Sequence, residues 1–65
     1  MRLIINGETV DSAAATLADV LAELGKGDAK VATSVNEMFV PKPARAAHAL
    51  DDGDRIEIVA PRQGG

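Results

Sequence analysis

Asp52-Gly53-Asp54-Arg55-Ile56-Glu57-Ile58-Val59-Ala60 is the stretch whose reading decides the fold. Asp52-Gly53 is a tight-turn pair. From Asp54 to Ala60 the side chains alternate. Ile56, Ile58 and Ala60 share one face, and Arg55, Glu57 and Val59 share the other, which is the period of a strand with one side against a core. After it come Pro61-Arg62-Gln63-Gly64-Gly65, a short polar link and a diglycine that closes the sequence. Glycine has no Cβ, so such a tail has a small cross-section and few backbone restrictions. It suits a carboxylate that must pass down a narrow channel into another protein. The competing reading is a frayed chain end, which termini commonly are.

The rest of the chain supplies the partners of that strand. Arg2-Leu3-Ile4-Ile5-Asn6 is apolar and β-branched and reads as a strand covered on both faces. Asn6-Gly7 tolerates positive φ at both positions and predicts a hairpin turn. Glu8 to Ser12, short and polar, returns as an edge strand. One helix follows. Thr16 caps it, with Asp19 as the capping-box acid. Leu17, Val20, Leu21 and Leu24 fall at i, i+3, i+4 and i+7 and form one apolar stripe, and Gly25 stops the helix. That stripe is a core face on ordinary burial preferences rather than a docking face for a partner helix. A helix this short needs a sheet to pack against.

Lys26 to Lys30 is a loop. Val31 to Asn36 is a third strand, with Val31, Thr33 and Val35 on one face. Asn36-Glu37 is a turn, and Met38-Phe39-Val40 is a very short fourth strand ended by Pro41 and Pro43. Pro43 opens a brief helical turn through Ala44 to His48, pinned to the core by Leu50. The order is strand, strand, helix, strand, short strand, strand. It predicts an α+β domain, a mixed sheet of four to five strands with the main helix across one face. The first and last strands are expected side by side at the centre. The connection between them is long enough to let them run parallel. Residues 1–60 are read as this domain and residues 61–65 as an exposed tail.

Sixty-five residues make one domain with a thin core, too small to wall off a deep catalytic pocket. There is no Cys, which removes disulfides, thiolate metal sites and a thiol nucleophile. The net charge is −3, which argues against a nucleic-acid partner. Met1 to Gly7 is too short for a signal peptide or a membrane span, so a cytoplasmic location is expected. Phe39 is the one aromatic residue, which excludes base stacking and aromatic cages. His48 reads as a surface histidine with no partner acid. Asp51, Asp52 and Asp54 read as an acidic turn, because a calcium loop needs more oxygens at set spacings. Arg2, Arg45 and Arg55 read as solvated surface charges. Arg62, near the end, is placed to steer the tail along a polar groove. Val59 and the Met38-Phe39 pair are candidates for exposed docking area, with the core equally open to Met38 and Phe39.

With no phosphate loop, metal spacing or nucleophile triad in the chain, the Gly65 carboxylate is the one group left to carry chemistry. A carboxylate accepts sulfur only after its oxygen becomes a leaving group. Adenylation by ATP achieves that, and a sulfur nucleophile then displaces AMP to leave a thiocarboxylate.

These residues resemble the bacterial thiamine-biosynthesis sulfur carriers, the ThiS family. The likeness runs through Met1 to Gly7, Thr16 to Gly25, Val31 to Asn36 and Phe39 to Pro41. It is strongest from Asp52 to Gly65. It implies a β-grasp, ubiquitin-like fold and no bound cofactor. It also implies a ThiF-like adenylating enzyme that consumes ATP, a cysteine desulfurase or equivalent sulfur donor, and thiazole synthase as acceptor. Gly65 is then the modified residue, and Gly64, Gln63 and Arg62 thread the channel. Asn36-Glu37 stands where many relatives have Asn-Gly. Three alternatives share the fold: a carrier like the molybdopterin-synthase small subunit, a ubiquitin-like protein modifier, and a passive interaction module.

Overall fold

The computed structural model describes residues 1–60. Its elements are β1 (Arg2–Ile5), β2 (Glu8–Asp11), α1 (Leu17–Glu23), β3 (Ala32–Val35), β4 (Met38–Val40), a 3-10 helix (Lys42–Ala47) and β5 (Arg55–Val59). They follow the order expected from the sequence. The strands form one five-stranded sheet in the order β2-β1-β5-β3-β4. β1 and β5 are parallel, with Ile5 opposite Ile56, while β1–β2, β3–β4 and β3–β5 are antiparallel. β5 is therefore the middle strand, and β2 and β4 are the edges. This is the β-grasp arrangement.

Turn chemistry explains the hairpins. Asn6 and Gly7 have φ of 49° and 84°, the left-handed pair that suits the twist of a two-residue hairpin. Asn36 and Glu37 do the same at 50° and 72°. There Glu37 holds a conformation that a side chain with Cβ adopts only at a cost.

Helix α1 starts as its sequence predicts. The Thr16 hydroxyl accepts from the Asp19 amide at 3.3 Å, and an Asp19 carboxylate oxygen accepts from the Thr16 amide at 3.2 Å, which closes the capping box. The same oxygen accepts from the Ala15 amide at 3.1 Å. These hydrogen bonds, the Ala15 amide first, hold the Asp19 carboxyl below the usual carboxylate range. At the other end, Gly25 (φ 72°) donates to the Ala22 carbonyl and Lys26 to the Leu21 carbonyl, a Schellman ending.

The core is Leu3, Ala14, Leu17, Val20, Leu21, Val35, Val40, Leu50, Ile56 and Ile58. Leu17, Val20 and Leu21 of α1 share this cluster with Leu3 of β1, Val35 of β3 and Ile56 and Ile58 of β5. Leu24, expected in the same stripe, is the C-cap and is 44% exposed, at the rim of a groove it shares with Ile5, Val10 and Ile58. β1 is covered on one face, not two. Leu3 is buried, while Ile4 lies half-buried on the open face opposite Arg55. Ala60, expected on the inner face, lies past the end of β5 and is exposed.

The largest correction is Arg45, read from the sequence as a surface charge and found 5% exposed. It lies on the 3-10 helix, whose one buried residue it is. Its Nε donates to the Thr33 hydroxyl at 3.0 Å, and its Nη2 donates to the Val31 carbonyl at 2.6 Å. The Thr33 hydroxyl in turn donates to the Val40 carbonyl at 2.8 Å. Neutral oxygens thus satisfy the buried guanidinium and bolt the 3-10 helix to β3. No carboxylate pairs with it among the described residues.

Candidate functional site: the open sheet face and the end of β5

The helices cover one face of the sheet and leave the other open. Strand alternation puts Arg55, Glu57 and Val59 of β5 on that open face. Ser34 lies opposite both Glu57 and Phe39, and Ala32 opposite Val59. Phe39 and Val59, 69% and 60% exposed, thus stand two strands apart with the small side chains of Ser34 and Ala32 between them. Two strand spacings and a two-residue offset along the strands put them roughly 12 Å apart on the open face, with Glu57 in the row of Phe39 and Arg55 beyond it. Arg55 approaches Glu37 at 3.8 Å, an exposed and weak ion pair.

Met38 is 72% exposed but belongs elsewhere. It is opposite Val35, whose side chain faces the helices, so alternation turns it to the other side of the sheet from Phe39. The structure therefore groups Phe39 with Val59 and separates Met38 from them. Neither Met38 nor Phe39 is a core residue.

β5 ends at Val59 on this face. Arg62, Gln63, Gly64 and Gly65 lie outside the described residues. What is described is the way the strand is held at its two ends. The side chain of Asn36 accepts from the Arg55 amide at 3.0 Å and donates to an Asp54 carboxylate oxygen at 3.0 Å. The side chain of Asn6 accepts from the Ile58 amide at 2.8 Å and donates to the Ile58 carbonyl at 3.2 Å. Sequence reading saw both asparagines only as turn formers. A positive-φ asparagine beside a strand pair was the signal that could have suggested more.

Among the described residues no group of three His, Asp or Glu side chains could hold a metal, and no helix is long and apolar enough to cross a membrane. His48 is half-buried, and its backbone carbonyl accepts from the Leu17 amide, which gives it a structural part at the start of α1.

The ThiS family profile matches residues 3–65, almost the whole chain. The chain belongs to the ThiS family. Members of this family are sulfur carriers of thiamine biosynthesis. The sulfur carrier protein ThiS of Escherichia coli (strain K12) is 30% identical over 66 residues, covering 100% of both chains. The crystal structure of the thiamine biosynthesis protein ThiS from Geobacter metallireducens superposes with a TM-score of 0.83 at 26% identity over 100% of both chains. The solution structure of a thiamine biosynthesis protein from the same organism gives 0.78 at 30% identity, covering 100% of this chain and 88% of that one. A thiazole synthase of Paramagnetospirillum magneticum is 48% identical over 61 residues, 92% of this chain. The chain spans about a fifth of that protein's length (19%).

Proposed function

We propose that Gly65 is the residue on which this ThiS-family chain carries sulfur, and that thiazole synthase takes the sulfur from it. The observation that supports this most is the family match, which runs through the closing diglycine. The second support is the similarity to a thiazole synthase, which favours that acceptor over the acceptor of another sulfur pathway.

The chemistry proceeds in two stages. A Gly65 carboxylate oxygen attacks the α-phosphorus of ATP. The acyl phosphate bond forms, the bond to the β-phosphate breaks, and pyrophosphate leaves. Sulfur then attacks the acyl carbon, and AMP leaves with the bonding pair. Bisulfide gives the thiocarboxylate directly. A protein persulfide gives an acyl disulfide, which a thiol must cleave, donating two electrons and ending as a disulfide itself. Both stages need groups supplied by partners: a ThiF-like adenylating enzyme with its ATP, and a cysteine desulfurase or equivalent donor. The described part of this chain supplies a rigid handle. Phe39 and Val59 on the open face offer the apolar docking area, and Met38, on the other side, takes no part in that patch. Gly64, Gln63 and Arg62 form the tail that enters the partner's channel, with the glycines minimising its width.

The test is an intact-mass measurement after incubation with ATP, the adenylating enzyme and a sulfide source. The expected product has one oxygen exchanged for one sulfur at Gly65 and reacts with a thiol-alkylating reagent. The alkylation separates it from oxidation of Met1 or Met38. Deleting Gly65 should abolish the product and leave the melting temperature unchanged. A product that forms without Gly65 defeats the assignment.

A further inference from the structure

β1 and β5 run together only as far as Asn6. The last backbone hydrogen bond between them is from the Asn6 amide to the Ile56 carbonyl, 2.9 Å. Beyond it the chain turns away through Asn6 and Gly7, at φ 49° and 84°. β5 continues. On its β3 side the ladder persists to the end, with Ile58 opposite Thr33 and Val59 opposite Ala32. On its β1 side the amide and carbonyl of Ile58 would be the next rung, and no backbone is there to meet them. The Asn6 side chain takes that place. Its Oδ1 accepts from the Ile58 amide at 2.8 Å and its Nδ2 donates to the Ile58 carbonyl at 3.2 Å. A carboxamide carries the donor and acceptor of a peptide unit, so one side chain stands in for a missing residue of β1.

We propose that Asn6 is the positioning residue that fixes the end of β5, from which the chain runs on to Gly65. The proposal rests on the reading of Gly65 as the acylated residue. Ile58 lies seven positions before Gly65. A strand end held on both sides leaves the following residues one origin, whereas a strand end held by β3 alone can peel and swing. Reacting groups must meet in close register, so a misplaced origin lowers the rate of the chemical step rather than the affinity of docking. The left-handed backbone at Asn6 is part of the device. Asparagine tolerates that conformation and has the reach to turn its amide back onto the strand.

Asn36 provides an internal control. The chain's other asparagine, it also has positive φ, 50°, and bonds the opposite end of β5 from the β3 side, with the Arg55 amide at 3.0 Å. Both asparagines stabilise the sheet, but only Asn6 acts where the strand gives way to the tail.

The experiment compares Asn6→Gly, Asn6→Asp and Asn36→Gly in the full chain, well below their melting temperatures. Glycine keeps the positive φ and removes the amide. Aspartate keeps the acceptor alone. Two readouts are taken: exchange of the Ile58 amide with deuterium, and pyrophosphate release by the adenylating enzyme at varied carrier concentration. Asn6→Gly should speed exchange at Ile58 about tenfold. It should lower kcat roughly tenfold with KM within about twofold. Asn6→Asp should fall between it and the wild type, and it carries the test should Asn6→Gly lose the fold. Asn36→Gly should lower the melting temperature and leave kcat unchanged. Equal losses of kcat in Asn6→Gly and Asn36→Gly, or an unchanged kcat in Asn6→Gly, overturn the proposal. A wild type that releases no pyrophosphate overturns the reading of Gly65 itself and takes this proposal with it.

Discussion

Replacing Phe39 with alanine should separate docking from folding. A fully covered phenylalanine buries about 150–250 Å². Since 69% of Phe39 is exposed, roughly 100–170 Å² of that remains for a partner to cover. At about 25 cal/mol per Å², covering it is worth at most about 2.5–4 kcal/mol. Interfaces convert area less efficiently than bulk transfer, so the working expectation is ~1–2 kcal/mol, or a KM for the adenylating enzyme raised roughly 5- to 30-fold. The fold should notice less. Phe39 sits on a three-residue edge strand outside the core, and its covered third, roughly 45–80 Å², contributes about 1–2 kcal/mol. Each kcal/mol lost lowers Tm by about 4–8 °C for a domain this small. The assay is initial pyrophosphate release against carrier concentration, with Tm measured on the same samples. Because the tail is untouched, kcat should hold. A KM within twofold of the wild type would mean that the open face is not the docking face, and the reasoning from exposure would fail.

Other substitutions probe the frame. Arg45→Ala should cost about 2–3 kcal/mol in urea denaturation, since it opens space and strands the Val31 carbonyl, whereas Arg45→Met, which keeps the stem, should cost about 1 kcal/mol. Glu37→Gly should raise stability by about 0.5–1 kcal/mol, because relief of the left-handed strain outweighs glycine's extra unfolded freedom and the loss of an exposed ion pair. Asp19 has a folded pKa below its unfolded value, so its stabilising effect is complete above the unfolded pKa of about 4 and is lost as pH falls through the lower folded value. In Asp19→Asn, the Tm measured from pH 5 downward should therefore lose part of its acid-side slope.

Much of this architecture was legible in advance because local signals and the global fold agree. Asn6-Gly7 and Asp52-Gly53 mark turns, Thr16 and Asp19 mark a helix start, and Gly25 marks its end. The alternation at Ile56 and Ile58 marks the buried side of the last strand. What was hidden depends on contacts distant in sequence. Arg45 is buried because Thr33 and Val31, on another element, present oxygens to it, and no local pattern announces that. Leu24 has the right spacing for the core, but as the C-cap it stands at the open rim of a groove with Ile5, Val10 and Ile58. Met38 and Phe39 are adjacent on one strand, so alternation sets them on opposite faces, but only the register shows which face each serves. The side chains of Asn6 and Asn36 were invisible as clamps for the same reason. Their partners are 52 and 19 positions away in the chain.

Placing the tail-bearing strand at the centre of the sheet has a mechanical consequence. On the proposed function, residues 61–65 fed into a partner's channel would transmit their load to the strand that precedes them. An edge strand would resist with one row of hydrogen bonds, and its partner row could unzip. β5 is flanked by β1 and β3, and its inward side chains Ile56 and Ile58 are both buried in the core. Pulling the tail therefore shears two rows at once and draws on the core directly. For a domain whose whole core supplies only ~3–5 kcal/mol, that placement matters more than total stability. It also explains why the β1 row is prolonged by a side chain. Without Asn6 the two rows would end at different points, and the last two residues of β5 would be held on one side at the place where the load arrives.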